Sequence, residues 1–284
     1  MVISNNSDIS KRADVMLADA NPEYSRAALA KLFTLGKITN ENNIPIKAGE
    51  KIQPGKNINS DITPINSIAE ELDLPVIYED ENVIVINKPA GIISHARGRY
   101  WDEASVASFV RQKVSGLTGE RAGIVHRLDR ATSGVMICAK NQETLSFLQK
   151  QFSVRKVKKK YTAIIKGKPS LPKATIDVPL ARNPKEPNTF RPDDEGKVCI
   201  TNYTVGKSNE RCSLLNLEPL TGRTHQLRVH LKYIKHPIVG DFLYGGEKAD
   251  RLYLHANSLE ITIPGGIRKI FLAPLPKEFN NMVS

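Results

Sequence analysis

Near the start of the chain, apolar positions recur at helical spacing in two short stretches. The run ISKRADVMLADA, residues 9–20, predicts a short helix. SRAALAKLFTLG, residues 25–36, predicts a second, with Ser25 as its N-cap, Leu29, Leu32 and Phe33 on one face and Gly36 as its stop. KITNENNIPIKAGEKI then reads as two short strands around an Asn-rich turn. Residues 9–58 thus predict a small helical module. Residues 59–73, polar and without a clear period, predict a linker.

From Leu74 onward the pattern shifts toward strands. ENVIVINKPAG holds a compact apolar run closed by Lys88-Pro89 and Gly91. GVMICAK, KKYTAIIKG, VCITNYTV, CSLLNLEPL and RLYLHANSLEITI read as further strands. Two helices interrupt them, SVASFVRQKV and NQETLSFLQKQF, the latter capped by Asn141 with Leu145, Leu148 and Phe152 turned inward. A Pro- and charge-rich loop spans Arg182 to Lys197. Many strands and few helices, without strict alternation, predict an α+β fold rather than a doubly wound sheet. The expected division is a first domain over 1–58, a linker over 59–73 and a main domain over 74–284.

The 284 residues are 40% hydrophobic and 25% charged, ordinary for a soluble globular chain, and no apolar run is long enough to span a bilayer. The opening MVISNNSDISKR lacks a basic start followed by an apolar core, so no secretory signal is expected. Cys138, Cys199 and Cys212, far apart and odd in number, fit buried thiols in a reducing compartment, and the expected location is cytoplasmic. Charge changes the picture more. The net charge is +11, yet residues 1–66 hold 8 Lys and Arg against 7 Asp and Glu, so nearly all the excess lies beyond them. A basic main domain suggests a polyanionic partner, most often nucleic acid.

Candidate chemistry begins with GIVHRLDRATSG, Gly123 to Gly134, which sets one carboxylate, Asp129, between Arg127 and Arg130. Such a segment is either a surface turn with solvated ion pairs or a carboxylate held ionised for chemistry, since adjacent positive charge favours the charged form. A second stretch, EPLTGRTHQLRVHLKYIKHPIVGDFLYGG, packs Arg223, His225, Gln226, Arg228, His230 and His236 among apolar residues. Polar groups at that density mean an internal hydrogen-bond network or a site, with Arg228 the candidate to meet Asp129. SVRKVKKKY, Ser153 to Tyr161, adds five positive charges, among them Lys158, Lys159 and Lys160, a run that by itself reads as a solvated face. Phosphate-cradling Gly loops and a G-x-S-x-G elbow are absent from the sequence. His225 and His230, five apart, do not share a helix face as a zinc-binding pair would.

RAGIVHRLDRATSGVMICAK, KKYTAIIKG and LTGRTHQLRVHLKYIKHPIVGDFLYGG resemble, in order, three motifs of the RluA-type pseudouridine synthases, and YEDENVIVINKPAG resembles the family's opening strand. The likeness runs from about Leu74 to near the C-terminus. It implies a cofactor-free enzyme that isomerises uridine in RNA to pseudouridine, on a mixed, mostly antiparallel sheet with flanking helices and a central basic cleft. By motif, Asp129 falls on the family's catalytic aspartate, Tyr161 on its active-site tyrosine and Arg228 on the arginine that pairs with that aspartate. Leu254, in RLYLHA, matches an apolar residue lining the uracil pocket.

Under this resemblance Tyr161 would cover one uracil face and help remove the carbon 5 proton, while Arg228 would orient Asp129 through a two-point contact. Lys158, Lys159, Lys160 and Arg223 are assigned to RNA contact, by the position of the basic run beside the cleft, and Arg127 and Arg130 to structural pairing or RNA phosphate contact. His126 and the histidines of the third motif are assigned roles as structural hydrogen-bond donors. Residues 9–58 resemble a small α/β S4-like RNA-binding domain, through YSRAALAKLFTLGKI and IKAGEKI. The expected substrate is large-subunit (23S) ribosomal RNA. The alternatives are tRNA, or a non-catalytic RNA-binding ribosome assembly factor that keeps the fold. The chain is expected to work as a monomer, with RNA as its partner and no metal, cofactor or membrane.

Overall fold

The computed structural model describes residues 1–22, 24, 26–66, 72–95, 103–114, 117, 121 and 123–284. Backbone proximity divides the chain between Glu71 and Leu72 into a smaller unit and a larger one, the larger holding Leu72–His95 and Ser105–Ser284.

The smaller unit runs β1 (Val2–Ser4), β2 (Lys11–Arg12), α1 (Ala13–Ala20), α2 (Arg26–Thr34), β3 (Ile38–Asn40), β4 (Lys51–Ile52), β5 (Asn57–Ser60) and α3 (Thr63–Asn66). Leu29 and Leu32 of α2 enter a core with Ala13, Met16, Leu17, Ile38, Ile52 and Ile58, and Phe33 packs at its margin. Ser25, the expected cap of α2, lies outside the described residues. β3 and β4 do not pair with each other: across the Asn-rich turn β3 makes a single bridge at Thr39 and Pro45, and it pairs along its length with β5, while β4 pairs with β2. The reason is β5, the central strand of the sheet β1-β5-β3. Asn59 and Ser60 are therefore strand, and the linker expected from residue 59 begins later. With Ile58 as its one apolar residue, the segment NINS shows no alternation to read. Residues 67–71 of the expected linker lie outside the described residues.

The larger unit opens with β6 (Val76–Glu79), β7 (Val83–Lys88), α4 (Val106–Arg111), β8 (Ser133–Ala139), α5 (Gln142–Ser153) and β9 (Lys158–Lys166). It continues through β10 (Lys173–Asp177), β11 (Leu180–Arg182), β12 (Phe190–Pro192), β13 (Ile200–Ser208), β14 (Cys212–Pro219) and α6 (Gln226–Tyr233). It closes with β15 (Leu254–Thr262), β16 (Arg268–Leu272) and α7 (Lys277–Asn281). One sheet has the order β10-β13-β14-β9-β15-β8-β7-β6, with β16 also pairing β15. β8 and β15 run parallel and the other pairs antiparallel, so the sheet is mixed and mostly antiparallel, as expected.

The continuous apolar run of β8 is buried along its whole length, as suits a strand covered on both faces. α5 begins where the Asn141 Oδ1 accepts the Thr144 N–H at 2.9 Å, a cap worth about 1 kcal/mol. Leu148 is fully buried beneath it, with Leu145 and Phe152 at the margin of the same core. Ser105 and Ser108 close a reciprocal capping box at the start of α4. The Arg182–Lys197 loop is more ordered than its Pro-rich composition suggests, because β11 and β12 pair across it, with Pro192 at the end of a short strand where its missing N–H costs little. Cys138, Cys199 and Cys212 are buried free thiols. Among the described residues no helix is long and apolar enough to cross a membrane.

Two apolar cores flank the middle of the sheet. One gathers β6, β7, β8, α4 and α5; the other gathers β9, β13, β14, α6 and α7, and Tyr161 packs against both.

Candidate active site

The site is built where the two cores meet. Tyr161 of β9 lies opposite Ala256 of β15, and Ala256 lies opposite Gly134 of β8, so the three share one row across the sheet. Gly134 has φ 121°, and a Cβ there would run into the Ala256 backbone, so this approach requires glycine. It brings β8, and with it the preceding segment that carries Asp129, against β15, whose other edge pairs with the strand that carries Tyr161. The Asp129 carbonyl accepts the Thr132 N–H at 3.0 Å, closing a turn. Ser94 Oγ accepts the Leu128 N–H at 3.0 Å and donates to the Leu128 carbonyl at 2.7 Å.

Lys88, fully buried, braces the same segment from below: its Nζ donates to the carbonyls of Pro89 and Ile92 at 2.8 Å and of Arg130 at 3.2 Å. Burial pulls its pKa down to about 7, with the Asp129 charge opposing. Three carbonyl acceptors match the three N–H groups of an ammonium. Lys88→Met is expected to leave those carbonyls unpaired and to cost about 3 kcal/mol, or about 10 °C in the thermal unfolding of this unit. Scanning calorimetry checks this, and an unchanged midpoint would remove the bracing role.

Asp129, Tyr161, Arg127, Lys159 and Arg223 line a cleft of about 420 Å³. An adjoining recess of about 80 Å³ shares Asp129 and Tyr161 and adds Arg228, His225 and Leu254. Residues far apart in the chain thus converge on one carboxylate. The expected two-point contact, however, goes elsewhere. Arg228 donates through Nε and Nη2 to the two oxygens of Asp241, each at 2.7 Å, and only Nη1 approaches Asp129 Oδ2, at 3.5 Å. The physical reason is burial. The Asp241 side chain is wholly buried and needs a full countercharge, whereas the Asp129 side chain keeps 19% of its surface open to the cleft.

Strand parity divides the basic run. Lys159, two residues from Tyr161, shares its face and donates to the Thr221 carbonyl at 3.2 Å. Burial, with Arg155 nearby, lowers its pKa to about 8. Lys158 and Lys160 alternate to the other face, where they are exposed and pair with Glu260 at 3.6 Å and Glu218 at 3.3 Å. The structure does not bring these two to the cleft. Nor does Arg130 line it: this exposed side chain approaches the Gly91 carbonyl at 3.4 Å.

Tyr161 sits half-buried, and desolvation followed by the Asp129 charge pushes its pKa up, keeping the phenol neutral. His126 stacks on Phe152 at 4.7 Å and accepts the Ile137 N–H through Nε2 at 3.1 Å. Burial drives its pKa down to about 3, so it is a structural acceptor where a structural donor was expected. His230 is held between Thr201 Oγ1 at 2.9 Å and the Val178 carbonyl at 3.0 Å, a structural role. Gln226 satisfies its whole amide, accepting from Thr221 Oγ1 and the Arg223 N–H and donating to the Ile200 carbonyl and Thr201 Oγ1. It fixes the loop that carries Arg223. Sequence reasoning missed Asp241, Tyr244 and Lys88, and it set His225 aside. The visible signal was polar residues standing in apolar surroundings. Among the described residues no group of three or more His, Cys, Asp or Glu side chains is disposed to hold a metal ion.

Residues 82–233 match the model of the family described as RNA pseudouridylate synthase. The chain belongs to that family. A relative from Borreliella burgdorferi, ribosomal large subunit pseudouridine synthase D, is 42% identical over 73% of this chain and 67% of its own. Its namesake from Xylella fastidiosa is 30% identical over 96% of this chain and 88% of its own. An uncharacterised RNA pseudouridine synthase of Bacillus subtilis is 34% identical over 96% and 93%. Among solved structures, human RNA pseudouridylate synthase domain containing 1 superposes with a TM-score of 0.60 at 28% identity, covering 71% of this chain and 83% of that one. The protein is an RNA pseudouridine synthase of the RluA type, with an α+β fold.

Proposed function

We propose that this synthase acts on uridines of large-subunit ribosomal RNA, with Asp129 as the reacting carboxylate and no cofactor. The observation that carries the reading is the convergence of Asp129, Tyr161 and Arg228 on one cleft whose wall also holds Arg127, Lys159 and Arg223. The relatives' names as ribosomal large subunit synthases support the substrate class. The reaction breaks the bond from N1 to the ribose carbon, turns the uracil and joins carbon 5 to the same ribose carbon. The carbon 5 proton leaves and N1 gains one, so atoms and electrons balance without a redox partner.

A target uridine must leave its stack to enter the cleft. Leu254 and Tyr161 supply an apolar wall and an aromatic face for the base. A neutral phenol suits covering the ring better than it suits drawing off a proton. Arg127, Lys159 and Arg223 meet the phosphates, and an approaching phosphate raises the lowered pKa of Lys159 and so favours its charged form further. The smaller unit is read as an S4-like RNA-binding domain that positions the substrate, and the enzyme as a cytoplasmic monomer.

Chemical mapping of pseudouridine in total RNA from cells with and without the protein tests this reading. The expected result is loss of one or a few sites in large-subunit rRNA. Loss confined to tRNA would move the substrate, and no loss anywhere would overturn the reading.

A further inference from the structure

His225 stands at the N-terminal boundary of α6 with φ 56° and ψ 14°, a left-handed conformation that residues other than glycine rarely adopt. Its side chain makes no capping bond to the helix. It reaches instead toward the reacting carboxylate, with Nε2 3.8 Å from Asp129 Oδ2. On the other side of the ring, Nδ1 lies 2.8 Å from Tyr244 Oη, and that hydroxyl accepts the Phe190 N–H at 2.9 Å. The rings of Phe190 and Tyr244 meet the imidazole edge-on, at 5.7 and 5.6 Å between centroids. A strained backbone and a ring clamped from three sides are a costly way to place a residue with no use.

We propose that His225 is a positioning residue for Asp129, its tautomer fixed by a relay that runs from the Phe190 backbone through the Tyr244 hydroxyl. The inference rests on the reading of Asp129 as the reacting carboxylate. The charged and titratable groups around the ring are Asp129 on the segment before β8, Arg228 of α6, Asp241 and Tyr244 beyond α6, and Arg127. Burial lowers the imidazole pKa, opposed by Asp129, and keeps the ring neutral. A neutral imidazole has one N–H. The Tyr244 oxygen takes the Phe190 proton donor on one lone pair and keeps its own hydrogen for Nδ1. The ring proton then sits on Nε2, facing Asp129. The opposite tautomer would aim a lone pair at a carboxylate oxygen.

At 3.8 Å the contact is longer than a hydrogen bond, and catalytic contacts of this kind tighten when substrate fills the site. Arg228 Nη1 approaches the same oxygen, Oδ2. With both supports on Oδ2, Oδ1 is the oxygen that meets the nucleoside.

The test is single-turnover release of tritium from carbon 5 of uridine at saturating RNA, with RNA affinity and thermal unfolding measured alongside. His225→Asn, whose amide reaches only the place of Nδ1, and Tyr244→Phe, which removes only the hydroxyl, are expected to lose rate by about 10- to 100-fold with affinity little changed. His225→Gln, whose amide nitrogen reaches the place of Nε2, is expected to recover most of the rate lost in His225→Asn. A histidine that merely fills space would suffer equally from either amide. Equal loss in the two amide variants, or parental rates in both His225→Asn and Tyr244→Phe, would overturn the relay. If His225→Asn fails to fold, Tyr244→Phe decides alone, and a parental rate rejects it. Asp129→Asn in the same assay separates the two readings: activity surviving there removes the assignment of Asp129, whereas an inactive Asp129→Asn beside fully active relay variants rejects the relay alone.

Discussion

Asp129→Asn is expected to lower pseudouridine formation by on the order of 1000-fold or more while RNA affinity is kept. The substitution preserves size and one oxygen acceptor, so the change isolates the charge and the reactivity of the carboxylate. Folding should survive it. Arg228 is buried, but its two-point partner is Asp241, so removing the Asp129 charge leaves no uncompensated guanidinium. Binding should also survive, because Arg127, Lys159 and Arg223 still line the cleft, and loss of a negative charge beside phosphates can only reduce repulsion. A loss confined to turnover identifies an interaction needed for the chemical step. Tritium release from carbon 5, with binding measured separately, checks both halves. A rate within ten-fold of the parent would mean, at about 1.4 kcal/mol per decade, that Asp129 supplies too little to be the reacting group.

What the sequence made legible follows from what kind of fact each was. Asp129 and Tyr161 stand in motifs whose local frames, an irregular segment before a buried strand and a strand interior, are each readable on their own, whereas the helix α6 that carries Arg228 is not among the predicted elements. The sheet brings those frames together. The basic run was read as one block, yet a strand has a period of two, so Lys159 faces the cleft while Lys158 and Lys160 face away. Only register and neighbours decide which parity points inward. The linker boundary failed at β5 for a related reason: a central strand of a small sheet can be almost wholly polar when helices supply the apolar cover.

The partner of Arg228 shows a deeper limit. Two carboxylates, Asp129 and Asp241, compete for one guanidinium, and nothing in their spacing ranks them. Burial ranks them, because the wholly enclosed Asp241 loses most if left unpaired. Likewise nothing in GRTHQLRVH separates His225, which reaches Asp129, from His230, which is fixed between a hydroxyl and a carbonyl. The helix boundary between them turns the two rings to different neighbours.

That competition sets the second large effect, in Arg228→Lys. The guanidinium serves two carboxylates at once: Nε and Nη2 hold Asp241, and Nη1 is left for Asp129. Lysine brings one nitrogen on a flexible stem and cannot occupy three positions. Its ammonium should go to Asp241, since stranding that buried carboxylate would cost more than leaving the part-open Asp129 to water. Asp129 then loses its support from α6 with no change in net charge. Misplacement of a reacting group by about 1 Å can cost ~100-fold in rate, and a loss of that order is expected in single turnover, with RNA affinity changed far less. Because the pair with Asp241 drops from two hydrogen bonds to one, thermal stability should fall as well, by about 1–2 kcal/mol. Were Arg228 simply one more positive charge for phosphate, lysine would serve nearly as well. A single-turnover rate within a few-fold of the parent, in a variant whose unfolding midpoint shows the expected drop, would keep the Asp241 pair and reject any bearing of Arg228 on Asp129.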